Sequence, residues 1–352
     1  MQSVANRSMW ATRAASFCVQ GRGVVRLSLR VMAVSVTLAF AAVGTGWSAP
    51  LIGGTIAYVQ GTEAFEIYVV EAGVGPPVRV WREEDDRIYS VKLSLDGQRV
   101  AFESGSHAFF TQVFIVNVDG TDHRQATDFG NRVRSAGAAW SPDSTRIAFA
   151  SHSRGRTDAT LSVAPRDGGD ALVLVAAPTR RLGDPAWSPD GTNIAYTVSE
   201  IPRVPSELRL LNVATGETTL LTPDVRGDIA WSPGGTQLAF FRSHGARGWA
   251  SWDILTIPAH PGGEPKHFAS LGDWYPAGGL VWLDAEHIAH LSPANVRAIH
   301  IANLAGRPQA PLYVEATAPI HSFDWVDPAR PVRPAGKRAT TLGGLKAGED
   351  AR

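Results

Sequence analysis

Ala139-Trp140-Ser141-Pro142-Asp143 recurs as Ala186-Trp187-Ser188-Pro189-Asp190 and again as Ala230-Trp231-Ser232-Pro233-Gly234. Each copy leads through a polar pair into a short apolar run: Arg146-Ile147-Ala148-Phe149, Asn193-Ile194-Ala195-Tyr196 and Gln237-Leu238-Ala239-Phe240. Weaker copies flank these three. Leu93-Ser94-Leu95-Asp96-Gly97 precedes Arg99-Val100-Ala101-Phe102, Trp282-Leu283-Asp284 precedes His287-Ile288-Ala289-His290, and Phe323-Asp324-Trp325 comes last. The anchors fall at 93, 140, 187, 231, 282 and 325, so the spacings are 47, 47, 44, 51 and 43. A period in the mid-forties is the length of one four-stranded propeller blade.

The pattern within a unit supports that reading. A first strand ends at the anchor, and a Ser-Pro-Asp-Gly turn follows, in which Pro presets φ, Asp bonds local backbone and Gly takes the left-handed position. A second strand comes next, then a variable loop and a third strand such as Val113–Val118 or Leu208–Val213. Tight turns at Asp119-Gly120, Gly168-Gly169, Thr215-Gly216 and Gly262-Gly263 lead to a short fourth strand. No helical periodicity interrupts this order. Residues 55–81 carry a second, third and fourth strand without an anchor, whereas 322–326 are an anchor strand with nothing after it. Joined, they complete one blade. The expected fold is all-β: a six-bladed propeller of four-stranded antiparallel blades, closed by the C-terminal strand beside the N-terminal ones. Closure removes the open edges on which such sheets aggregate.

These residues carry a resemblance. The unit Ala-Trp-Ser-Pro-Asp-Gly-x-x-Ile-Ala-Phe resembles the TolB-type propeller repeat, and it covers about residues 52–326. The resemblance implies a stand-alone propeller and carries over neither an envelope role nor peptidase activity. The chain departs from that family in having few residues between leader and first blade, where TolB has a separate α/β domain. Peptidases with this propeller carry an α/β-hydrolase domain, yet only 26 residues follow the last repeat and no Gly-x-Ser-x-Gly elbow occurs. Three functions remain in view. The first is a non-enzymatic module binding a protein or peptide in the cell envelope. The others are a metal-dependent propeller hydrolase or lyase on a carbohydrate or lactone, and a detached substrate-gating propeller of a peptidase system.

The zero formal charge is a sum over unlike pieces. Residues 1–49 carry five Arg and no acid, residues 50–326 net −8, and residues 327–352 net +3. An acidic ring argues against a nucleic-acid partner. Arg22, Arg26 and Arg30 precede a charge-free run from Val31 to Val43 and then Gly44-Thr45-Gly46, the order of an export signal. Thirteen residues are short for a membrane span, and Trp47 disturbs the best cleavage match, which leaves an uncleaved anchor as the alternative. Cys18 is the sole cysteine and lies in this leader without a lipobox. The mature chain is therefore expected to have no disulfide, thiolate metal site or Cys nucleophile. The expected domains are 1–49 as leader, 50–326 as propeller and 327–352 as a structureless tail, in a monomer exported to the periplasm or cell surface.

Candidate chemistry is sparse. The anchor tryptophans, identically placed in each repeat, are expected to fill the wedge between blades rather than stack on sugars. His107, His152 and His244 occupy equivalent loops after second strands and offer a conceivable three-His metal site. It resembles that of a propeller lyase on polyuronides; three exposed polar residues are the plainer expectation, and no cofactor is expected. His287 and His290 form no metalloprotease helix motif, and Glu83-Glu84-Asp85-Asp86 lacks calcium-loop spacing. The face bearing the long loops is the expected partner surface. Arg134, Arg181, Asp184, Arg226, Asp228 and Tyr275 precede anchor strands, while Arg154, Arg247 and Trp249 come from outer loops. Arg, Trp and Tyr are the side chains enriched at binding hot spots.

Overall fold

The computed structural model describes residues 53–71, 75–106, 110–128, 133–153, 158–200, 206–244, 251–272, 279–291, 297–303 and 316–327. Blade 1 holds β1 (Thr55–Gly61), β2 (Phe65–Glu71) and β3 (Val78–Glu83); blade 2 holds β4 (Arg87–Leu93), β5 (Arg99–Gly105), β6 (Gln112–Asn117) and β7 (Arg124–Gln125). Blade 3 contains β8 (Val133–Trp140), β9 (Arg146–Ser153), β10 (Ala159–Pro165) and β11 (Leu172–Ala177). Blade 4 contains β12 (Arg180–Trp187), β13 (Asn193–Glu200), β14 (Ser206–Asn212) and the first half of β15 (Thr218–Trp231). The second half of β15 is the inner strand of blade 5, pairing with β16 (Gln237–His244), then β17 (Ser251–Pro258) and β18 (Lys266–Gly272). Left-handed residues at Asp224 and Gly227 mark the change of partner along β15. Blade 6 has β19 (Leu280–Trp282), β20 (His287–Leu291) and β21 (Ile299–Asn303) among the described residues.

The last strand, β22 (Ile320–Val326), lies antiparallel to β1, with Thr55 opposite Val326 and Tyr58 opposite Phe323. Its sheet runs β22-β1-β2-β3, so the last and first described strands share one blade as expected. The apolar clusters show how the blades follow one another. Each joins two successive sheets: Ile67 with Phe102, Ile115 with Phe149, Leu161 with Tyr196, Leu210 with Phe240, and Phe241 with Ile288. The sixth joins Leu283 and Ile301 of blade 6 to Tyr58 and Phe323 of blade 1, which closes the ring. Gly279 sits where this last pair of inner strands meets. A Cβ there would lie 2.5 Å from the Phe323 ring, and its φ is +70°.

The repeated turn motif has a physical basis. Ser141 Oγ accepts from Arg146 N at 3.0 Å and donates to Asp143 Oδ1 at 2.5 Å, while Asp143 also accepts from Thr145 N at 3.0 Å. Ser188 with Asp190 and Ser94 with Asp96 repeat the same three bonds. These serines are buried, so the motif satisfies polar groups that would otherwise be stranded beneath the turn. Burial opposes ionisation of Asp143 and Asp190, but the Ser and Thr hydrogen bonds outweigh it and hold both carboxyls below their usual range. Gly191 takes the left-handed position at φ +73°, whereas Ser144 does so at +56° and its Oγ accepts from Asp96 N of the preceding blade at 3.2 Å.

Blade 5 lacks the carboxylate, because Gly234 stands where Asp143 and Asp190 stand elsewhere. A Cβ at Gly234 would meet no atom within 4 Å, and Thr236 stands at the position of Thr145 and Thr192, the donors to Asp143 and Asp190. Gly234→Asp is therefore expected to raise stability by about 1 kcal/mol, from added hydrogen bonds and reduced unfolded-state entropy. Urea denaturation checks it; a loss of stability would contradict this account of the turn.

Candidate functional site

Where the inner strands end at the tight-turn face they enclose a funnel-shaped cavity of about 510 Å³. Trp140, Trp187, Trp231, Trp282 and Trp325 line it, and Leu93 fills the sixth anchor position. Pro142, Pro189 and Pro233 from the turns form its outer wall. Each tryptophan packs in a different inter-blade cluster, as their repeat position implies. Four of them are only 4–7% exposed, and Trp231 is half-buried. The rings thus serve twice: their bodies wedge the blades apart and their edges form the funnel wall. Several are fixed through the indole N–H. Trp140 donates to Lys92 O at 3.1 Å, Trp231 to Ala186 O at 2.9 Å and Trp325 to Gly53 O at 3.2 Å.

Charge gathers on the axis beneath these rings. Lys92 Nζ lies 3.8 Å from Asp324 Oδ1, and Asp324 Oδ2 accepts from Leu93 N at 2.8 Å. The ion pair and hydrogen bond join blades 1 and 2. Asp228 accepts from Gly279 N, joining blades 5 and 6, and Asp184 accepts from Thr197 Oγ1 at 3.2 Å within blade 4. Burial would push Lys92 down, but the summed attraction of Asp324, Asp228, Asp184 and Glu103 overrides it and holds the ammonium above its usual range. Lys92 keeps 28% and Asp324 13% of its side-chain surface: both touch the funnel's solvent while surrounded by protein. Burial raises Asp324, with Lys92 and the Leu93 N–H offsetting part of the rise. Asp184 is pushed up to about 7, by burial first and then by the like charge of Asp228.

Of the residues expected on the partner face, Arg181, Asp184, Arg226 and Asp228 are described. Asp184 and Asp228 lie three positions before their anchors and bond inward, while Arg181 is half-buried and Arg226 exposed at the far ends of the inner strands. β12 runs from Arg180 to Trp187, so the Arg-bearing end and the funnel are about 20 Å apart. Arg154, Arg247, Trp249 and Tyr275 lie outside the described residues, as does the Arg134 side chain. His107 also lies outside them. His152 belongs to blade 3 and His244 to blade 5, where His244 Nε2 is 2.8 Å from Asp253 Oδ2. Among the described residues no three His, Cys, Asp or Glu side chains form a metal-binding group. Of the helix-free pair, His287 bonds Asp284, and His290 is buried, its pKa lowered to about 4 by burial.

Sequence reasoning missed Lys92, Asp324 and the funnel. One signal was available. The residue before the anchor is Ala139, Ala186, Ala230 or Val281 in four repeats; the two departures, Lys92 and Asp324, are opposite in charge and become neighbours once the ring closes.

Solved structures share this arrangement. TolB from Acinetobacter baumannii superposes with a TM-score of 0.61 at 16% identity, over 78% of this chain and 67% of that one. The fold is a TolB-like β-propeller. A structure of the nidogen/laminin complex gives 0.59 at 14% identity, over 78% of this chain and 99% of the other. An oligogalacturonate lyase in complex with manganese gives 0.51 at 13% identity, over 72% of each chain. No family model and no curated protein matches the sequence. At these identities the TolB-like likeness establishes architecture alone.

Asp184 makes the stability of this TolB-like ring pH-dependent. Its folded pKa is raised above the ordinary 3.8, so its contribution is fully present below that value and is lost as pH rises through about 7. Asp184→Asn keeps a residue that tolerates the left-handed φ of +48° and an oxygen for Thr197. The variant is expected to match the parent near pH 4 and exceed it by on the order of 2 kcal/mol at pH 8. Thermal melts across that range check it; a difference that does not change with pH would refute the assignment.

Proposed function

We propose that the chain is an exported, non-enzymatic binding module of the cell envelope that recognises a protein or peptide partner. The funnel carries this reading. Indole edges and proline rings supply a concave apolar wall, and the Lys92–Asp324 ion pair together with Asp190 and Asp327 supplies the polar groups that orient a ligand. Aromatic walls of this kind suit an extended segment bearing proline or other compact apolar side chains. Arg181 and Arg226, at the opposite end of the inner strands, belong to a second contact surface in this reading; the repeat pattern of the sequence assigns Arg134, Arg154, Arg247, Trp249 and Tyr275 to the same surface. The basic leader and the apolar run from Val31 to Val43 support export. Among the described residues no helix is long and apolar enough to cross a membrane.

Tryptophan fluorescence tests the proposal, with hexaproline as the probe. Millimolar hexaproline is expected to shift the emission, and Gly234→Arg, which puts a long side chain into open space at the funnel wall, is expected to abolish the shift. Unchanged emission, together with breakdown of trigalacturonate in the presence of manganese, would replace the binding module with a lyase.

A further inference from the structure

Where β22 ends, Val326 and Asp327 themselves line the funnel. The chain then continues as Pro328-Ala329-Arg330-Pro331-Val332-Arg333-Pro334-Ala335-Gly336-Lys337-Arg338. The prolines recur at every third position. A polyproline II helix has three residues per turn and no internal hydrogen bonds, so Pro328, Pro331 and Pro334 would share one face, and Arg330 and Arg333 another. The segment cannot build a sheet of its own, because proline lacks the donor a ladder needs. Only a surface that accepts proline rings would order it.

The funnel is such a surface, and it begins at the segment's first residue. Its wall offers indole edges spaced around the axis and three turn prolines. Its charge is complementary. Asp190 and Asp327 line it, and exposed Asp96 and Asp143 stand at the tips of the neighbouring turns. Residues 328–338 carry Arg330, Arg333, Lys337 and Arg338 and no acid. Reach is no obstacle: at about 3.1 Å per residue the seven residues from Pro328 to Pro334 would span roughly 20 Å, enough to cross the mouth of a cavity whose lining includes Asp327. Tethering raises the effective concentration of the segment into the millimolar range, so weak contacts with each proline suffice.

We infer that the funnel is a polyproline II-binding site whose resident occupant is the chain's own Pro328–Pro334 segment, held by the tryptophan edges through its prolines and by the turn aspartates through its arginines. This rests on the funnel being the recognition site proposed above and names its ligand class. A partner segment would have to displace the tail, so the tail sets the threshold for binding.

The test uses the full chain with a benzoylphenylalanine photo-crosslinker at Val332. Cross-links are expected within one molecule, to peptides carrying Trp187 or Trp231, in a yield that tenfold dilution leaves unchanged. Cross-links that fall with dilution would assign the site to a second copy, and cross-links near Arg181 or none at all would likewise overturn the inference. A second variant, Pro328→Gly with Pro331→Gly and Pro334→Gly, lies outside the described sheets and keeps all the charge. It is expected to bind hexaproline at least tenfold more tightly than the unaltered chain, since its tail competes less. Equal affinity in both would sink the tail inference while leaving the funnel a binding site; hexaproline binding to neither would sink both readings.

Discussion

The antiparallel pairing of β22 with β1 is the constraint on which the rest of the molecule depends. It brings together residues some 260 positions apart, and side chains reinforce the ladder: Gln60 exchanges two hydrogen bonds with Thr317, His321 meets Gly61 O at 2.7 Å, and Trp325 reaches Gly53 O. Without it β1 would present an open inner edge, and the cluster that joins blades 6 and 1 would lose Phe323 and Trp325. The axis would suffer as well. Asp324 and Ser322 sit on β22 and accept from the backbone N–H groups of Leu93 and Val91 in blade 2. One strand therefore completes a sheet, two wedges and the Lys92 ion pair.

The funnel follows from the same geometry. Inner strands that converge on an axis must end in a ring, and the anchors at their ends, though largely buried in the wedges, keep a margin that faces the funnel. A buried tryptophan removes about 200 Å² from water, worth on the order of 5 kcal/mol by area. Stability alone accounts for placing one at five of the six blade junctions, with Leu93 at the sixth; the small exposed part of each ring is what the funnel wall is made from. A concave wall thus arises from residues selected by packing. This is why their role as wedges, read from the repeat, concealed their role as a wall.

The architecture was legible because it is local and repeated. Ser141, Ser188 and Ser232 announce a turn whose hydrogen bonds span five residues, and periodic anchors count the blades without any long-range knowledge. The split blade could be inferred from incomplete units at either end, which the β22–β1 register matches. The site was less legible, since it consists of differences between repeats. Asp184 and Asp228 read as loop-face charges because they precede anchor strands, yet they point to neighbouring strands once the ring is assembled. Lys92 and Asp324 are 232 positions apart, and their pairing exists only through closure. A pattern that recurs every 43 to 51 residues exposes what the repeats share and averages away what distinguishes them.

Native-state hydrogen exchange tests closure most directly. If β22 locks the ring, the amides of β1 and β22 exchange only through global unfolding, with the same free energy and denaturant dependence as those of β5 and β9 in the interior of their sheets. Exchange of β22 at a much lower opening free energy, while β5 and β9 stay protected, would show that the ring stands without its last strand and would contradict the account.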